Sequence, residues 1–332
     1  MLDGYSAPEA FHRPETAAAR RLFLITGGCG FIGSHLAETL VARGHVVRVL
    51  DDLSHGRMEN LPRGVEFIEG DVADPMVLRR AIHDVDGCFH LAAISSVIEC
   101  HSRWLEAHRT NLTGTINVFD AARRARPNMP VPVVYASSAA VYGNRGETLL
   151  DESLTPNPVS SCGADKTGCE LHAHIATSAH GVPAAGLRFF NVFGPRQSAH
   201  SPYSGVVPSF CRNLAEGRGV TIFGDGTQTR DFVYVTDAVT ALIEAMAHLP
   251  RESEVFNVCT GHGISISELA GIVAGILGVE PKISFKPARP SDVRHSIGNP
   301  ERARARLGFI AETDLETGLR LTLNALKTVG VL

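Results

Sequence analysis

The chain has 332 residues, 44% of them apolar, and a formal net charge of −4; that suffices for one large unit or two interlocked ones, and the balance gives no support for nucleic-acid or membrane-surface binding. Seven cysteines, an odd number without metal-ligand spacing, point to a reduced, cytoplasmic protein with no metal site. Residues 1–20 read as a disordered leader lacking the apolar core of a signal peptide, and no stretch is long and apolar enough to span a membrane.

The first element is the continuous apolar run Leu22 to Thr26, the pattern of a strand buried on both faces. It breaks into Gly27-Gly28-Cys29-Gly30 and resumes as a helix carrying Phe31, Ile32, Gly33, Leu36, Leu40 and Val41. Glycines on such a strand-to-helix turn let backbone approach a pyrophosphate held at the helix N-terminus. A second strand, Val46 to Leu50, ends in Asp51 and Asp52. An acidic residue at that tip grips ribose hydroxyls, and two together repel a ribose phosphate, which favours NAD over NADP. A third strand, Val65 to Glu69, runs into Gly70-Asp71-Val72, and a helix over about Pro75 to His83 follows. The fourth strand, Gly87 to Ala93, ends in small residues that let a cofactor lie close. One long helix over Trp104 to Ala125 contains Asn111, and a fifth strand from Val131 to Ala136 ends in Ser137-Ser138.

Strict alternation of strand and helix predicts a Rossmann-type, doubly wound parallel sheet with its ligand at the carboxyl ends of the strands. A helix over Gly163 to Ala179 and a sixth strand, Ala184 to Phe190, complete a dinucleotide-binding unit over residues 21–190. The rest, 191–332, reads as a smaller interleaved α/β substrate unit with a helix at Ile266 to Leu277, except that about 233–262 returns to the first unit.

Taken in order, these motifs resemble the extended short-chain dehydrogenase/reductase family and, within it, nucleotide-sugar 4-epimerases. The likeness rests on Thr26 to Gly33, Gly70-Asp71-Val72, His90 to Ala93, Asn111, Ser137 to Gly143, Arg188 to Arg196, Gly224 to Phe232 and Arg289 to Ser296. It implies that Ser138 hydrogen-bonds the sugar oxygen at carbon 4 and that Lys166 holds the nicotinamide ribose and lowers the pKa of the base. The cofactor contacts it implies are Gly27, Gly30, Phe31, Ile32, Gly33, Asp51, Asp52, Asp71, Val72, Leu91, Ala92, Ala93, Asn111 and Lys166. For a UDP-sugar the implied contacts are Ser95, Ser138, Asn191, Val206, Arg230, Arg289, Asp292 and Ser296, the two arginines on the diphosphate. Ser296 stands where hexose-restricted 4-epimerases carry a tyrosine, which would open room for an acetamido group. Ala139-Ala140 stand where dehydratases carry Asp-Glu, while glucuronate-type substrates, for an epimerase or a decarboxylase, stay open. Family members pair as homodimers through two long helices, here 104–125 and 163–179.

The family's base is a tyrosine four residues before the lysine, and here that residue is Cys162. A phenol reaches roughly 4 Å further than a thiol, yet a thiol's intrinsic pKa of about 8.5 suits a base. Three readings follow: a water relays the proton to Cys162; another group, Glu99 or His101, serves instead; or the chain binds NAD and sugar nucleotide without efficient turnover. Ile98, Glu99 and Cys100 also stand where proline, arginine and serine are usual.

Overall fold

The run Leu22–Thr26 is the central strand β1, with Leu24 and Ile25 fully buried on its opposite faces. The structure, a computed structural model, describes residues 20–126, 129–198, 205–289 and 292–328. The expected leader, but for Arg20, and Pro290 and Ser291 lie outside the described residues.

After β1 come α1 (Phe31–Ala42), β2 (Val46–Asp51), β3 (Glu66–Glu69), α2 (Pro75–Ala81) and β4 (Gly87–His90). The chain continues through α3 (Val97–Ser102), α4 (Trp104–His108), a π-helical turn at Arg109–Thr113, α5 (Gly114–Arg124), β5 (Val133–Ser138), α6 (Ser161–His180) and β6 (Ala184–Phe189). Next stand β7 (Asn191–Phe193), α7 (Val206–Ala215), β8 (Val220–Phe223), β9 (Thr229–Tyr234), α8 (Val235–Ala247) and β10 (Glu254–Val258). Last are β11 (Gly263–Ser265), α9 (Ile266–Leu277), β12 (Ile283–Lys286), β13 (His295–Ser296), α10 (Glu301–Leu307) and α11 (Leu315–Thr328).

Seven strands form one sheet in the order β10-β6-β5-β4-β1-β2-β3, every neighbouring pair parallel. This is the doubly wound sheet expected from the alternation of elements. Its two faces carry separate cores. Ile25, Val49, Phe89, Val134 and Leu187 pack with α1 and α8; Leu24, Leu50, Cys88 and Val133 pack with α2, α5 and α6. A third core gathers α7, α9 and α11 against β8 and β9. There β7, β11 and β13 pair with β9, while β12 pairs with β8.

Three boundaries differ from expectation, each for a local reason. Strand β4 stops at His90, so the small residues after it form open loop rather than strand. Helix α6 begins two residues early because Ser160 caps it, its Oγ accepting from Gly163 N at 3.2 Å. Cys162 therefore sits in the first turn of a helix and not ahead of it. The long helix after α3 is real but widens at Arg109–Thr113. At that turn Asn111, fully buried, accepts from Ile94 N at 2.8 Å and donates to Ile94 O at 3.0 Å.

Behind the carboxyl ends lies a buried polar network. Arg188 pairs bidentately with Glu170 at 2.8 and 2.7 Å and lies over the Tyr142 ring, and Ser137 Oγ donates to the same carboxylate at 2.5 Å. Geometry of this quality is what a buried ion pair needs to offset desolvation.

Candidate active site

The carboxyl ends of β1, β2, β4 and β5 open on a cleft of about 950 Å³. Gly27 stands at a positive φ of 72°, and a Cβ there would meet Ala92 N at 2.7 Å. At Gly33 a Cβ would lie 2.2 Å from the carbonyl oxygen of Gly27. Both glycines are thus required by close backbone approach. Gly30 caps α1 with no side-chain bond to the first turn, so the helix presents its N-terminal amides without a protein side-chain partner.

Asp51 is 7% exposed; its two oxygens accept from Cys29 N and Leu53 N, both at 2.9 Å. Burial raises its pKa, opposed by those same amides. Asp52 is exposed and turns back to accept from Ser54. Asp71 meets Arg109 at 3.1 Å. These three line the cleft with Gly27, Gly30, Phe31, Ile32, Gly33, Val72, Leu91, Ala92 and Ala93. Asn111 does not: its amide holds the loop after β4, as a brace behind the wall.

A polar relay stiffens that wall. Thr115 Oγ1 donates to Asn111 O at 2.5 Å, so its oxygen receives the proton of His90 Nε2 at 2.9 Å. His90 Nδ1 then accepts from Thr26 Oγ1 at 2.7 Å, and Thr26 Oγ1 accepts from Ala92 N at 3.3 Å. Burial, and to a lesser degree the Lys166 charge, hold His90 neutral with its pKa down at about 3. On unfolding it regains its ordinary 6.5, so the unfolded chain binds an extra proton throughout that window. Stability is therefore expected to fall by about 1.4 kcal/mol per unit of acidification below 6.5 on account of this one ring. Urea melts of His90→Gln should show a shallower acid limb; an equal slope would contradict the assignment.

Three side chains expected to be catalytic face the same cleft: Ser138, Cys162 and Lys166. Ser138 ends β5, and its Oγ accepts from Ala140 N at 3.1 Å, leaving its own proton free to donate. Lys166 lies one turn beyond Cys162 on α6, on the same helix face. It is buried, and its Nζ donates to Ala136 O at 2.7 Å. Cys162 is held below the ordinary thiol value, at about 7, first by hydrogen bonding to Cys100 and then by Lys166, against the opposing effect of burial. The helix N-terminus also favours a thiolate there.

Of the alternative bases, Glu99 lines the cleft and His101 does not. Glu99 is 5% exposed and accepts from Arg103 at 2.9 Å, with His55 at 3.2 Å. Ser95 and Asn191 also line the cleft. Val206 does not, although it follows Gly205, which does. Arg230, Asp292 and Ser296 form a second group, outside the lining. Arg230 donates to Asp292 at 2.7 Å and is the register partner of Ser296 across β9 and β13. Arg289 lies apart, with its guanidinium 3.9 Å over the Phe223 ring. Sequence reasoning missed Arg196 as a site residue: it lines the cleft with φ at +66° and donates to Glu38 on α1 at 2.7 Å. The Gly194-Pro195 break before it was the available signal.

Residues 23–259 match the NAD dependent epimerase/dehydratase family. A UDP-glucose 4-epimerase of Mycolicibacterium smegmatis is 36% identical over 306 residues, covering 90% of this chain and 96% of that protein. Among solved structures, a UDP-glucose 4-epimerase of Thermotoga maritima with UDP-glucose superposes with a TM-score of 0.88 at 33% identity, covering 93% of this chain and 99% of the other. A UDP-N-acetylglucosamine 4-epimerase of Methanobrevibacter ruminantium in complex with UDP-N-acetylmuramic acid gives 0.87 at 33% identity, with 93% and 99% covered.

Proposed function

We propose that this chain, which belongs to the NAD dependent epimerase/dehydratase family, inverts carbon 4 of a UDP-sugar with Cys162 as proton acceptor. The cofactor is NAD, and the site fits it: bare backbone at Gly27 and Gly33, free amides at the start of α1, and carboxylates of Asp51 and Asp52 at the tip of β2. Bound there, NAD would supply reversible hydride transfer at carbon 4 of the sugar. The remaining work falls to the chain. Ser138 donates its free proton to the oxygen at carbon 4. Cys162 takes the proton of that hydroxyl, directly or through a water, and Lys166 favours the thiolate form. Arg230 and Arg289 serve the diphosphate, which requires Asp292 to release or share Arg230.

One observation carries this reading: the Cys162 thiol shares one cleft with Ser138, Lys166 and the glycine cradle. Incubation with NAD and each of UDP-glucose, UDP-galactose, UDP-N-acetylglucosamine and UDP-N-acetylgalactosamine, read by NMR, should show interconversion within a pair. With a small Ser296, the acetamido pair is expected to bind at least as well as the other. No interconversion of any pair would overturn the proposal. A second reading, Glu99 as base, is favoured by its burial beside the same cleft; it requires Glu99→Gln, rather than a Cys162 variant, to lose the activity.

The working unit is a homodimer. Trp104 and Leu105 on α4 and Leu171 and Ile175 on α6 are 51–80% exposed, more apolar surface than a lone helix pair leaves in water without reason. Light scattering at micromolar concentration should give twice the chain mass, and a monomer would refute this. Among the described residues no helix is long and apolar enough to cross a membrane. All seven cysteines are free and buried, which supports work in the reducing cytoplasm.

A further inference from the structure

Cys162 is not alone. Its side chain packs in a small buried cluster with Ile94, Ala107 and a second thiol, Cys100, which comes from α3. Cys162 lines the cleft; Cys100 sits behind it, fully buried. The Cys100 thiol donates to Ile94 O at 3.1 Å, a carbonyl that also accepts from Asn111 Nδ2 at 3.0 Å. Hydrogen bonding to Cys162, and then burial, keeps Cys100 protonated well above the ordinary thiol range. One thiol faces the cleft and ionises readily; the other is protonated, adjacent and screened from bulk solvent.

We propose that Cys162 and Cys100 form a peroxide-reactive modification site in which Cys162 attacks and Cys100 resolves. The Cys162 thiolate displaces hydroxide from hydrogen peroxide: the O–O bond breaks, an S–O bond forms, and the hydroxide leaves as water once protonated. The sulfur is oxidised by two electrons to the sulfenic acid. Cys100 then attacks that sulfur, the S–O bond breaks, and the hydroxide leaves as water with the Cys100 proton. Two thiols and one peroxide give one disulfide and two waters. A dithiol reductant reverses the step by exchange. In a reducing compartment such a bond is transient, which suits a modification rather than a structural crosslink. The attacking sulfur faces the cleft that the proposed reaction uses, so bound NAD and UDP-sugar shield it. Oxidation also removes the proposed base, a consequence that rests on the function proposed above.

The test treats the full chain with equimolar hydrogen peroxide, alkylates without reduction and maps peptides by mass spectrometry. The chain should lose two of its seven thiols, recovered as a Cys100–Cys162 linked peptide, and added NAD with UDP should slow its formation. In Cys100→Ser, Cys162 should persist as a sulfenic acid trapped by dimedone and pass on to the sulfinic acid, and dithiothreitol should no longer restore the thiol. Cys162→Ser should leave Cys100 unmodified. The proposal is overturned if the unreduced digest of the native chain shows both cysteines free after other thiols have reacted, or if Cys162 goes to the sulfinic acid with Cys100 untouched. A linked peptide in a chain that keeps full activity would leave the modification site standing and remove Cys162 as the base.

Discussion

Cys162→Ala should lower kcat by about 10²–10⁴, the usual cost of losing a general base, while leaving NAD affinity unchanged, because the side chain removed is not part of the glycine cradle. The native rate should climb with pH and level off above about 7, where the thiol held down by Cys100 and Lys166 has given up its proton. The direction follows from the role: a proton acceptor works only when deprotonated, so acid, not alkali, abolishes turnover. Three titratable groups bear on that thiol, Cys100, Lys166 and Asp165, and Asp165 opposes the shift. Cys162→Tyr should do the reverse of the alanine variant. The phenol extends into the cleft, reaches the hydroxyl without an intervening water and gains roughly tenfold in turnover. Steady-state kinetics from pH 5.5 to 9 on the three proteins decide the matter. A flat profile for the native chain, or an alanine variant as active as the native, would transfer the role to Glu99.

Gly33→Ala should abolish NAD binding. The added methyl would stand 2.2 Å from Gly27 O and 2.8 Å from Gly28 Cα. Neither is the end of a flexible side chain, so the turn must open. Forcing atoms into a packed site costs about 1–3 kcal/mol, and the same displacement moves the α1 amides off the pyrophosphate. NAD should raise the melting temperature of the native chain and leave that of the variant unmoved. Gly271→Ala is the matched control: a Cβ on that helical glycine meets nothing within 4 Å, so the substitution should be neutral or stabilising by up to about 1 kcal/mol. If Gly33→Ala also keeps the NAD-dependent shift, the cradle has been misread.

The doubly wound parallel sheet was legible because strand and helix patterns alternate strictly along residues 21–190. The cradle was legible for a related reason: its parts are neighbours in sequence. Ser138 and Lys166 followed from the resemblance, and both line the cleft. What could not be read was contact between distant segments. Nothing in Glu99-Cys100-His101 announces that the middle residue meets Cys162, or that the first turns into the cleft and the third toward solvent. The end of β4 was misjudged because Leu91 to Ala93 are apolar enough for a strand, yet beyond Leu91, whose N still donates to Thr26 O, the segment leaves the ladder to line the cleft. The start of α6 was placed at Gly163, whereas Ser160 caps the helix and Ser161 opens it. Arg230 and Ser296 do lie side by side, yet across β9 and β13 and outside the cleft lining, a placement spacing alone does not give.

The wide turn at Arg109–Thr113 works as an expansion joint. A regular helix advances about 100° per residue, whereas a π turn takes in one residue more before it closes. Ahead of it, Trp104 and Leu105 point to solvent; within it, Asn111 reaches Ile94; beyond it, Val118, Phe119 and Ala122 enter the core. Three tasks needing different faces are met on one continuous rod, which widens once. Losing a single residue here would restore the ordinary pitch with both flanks still facing as they do, and the change would fall on the turn alone, where Asn111 braces the loop at Ile94.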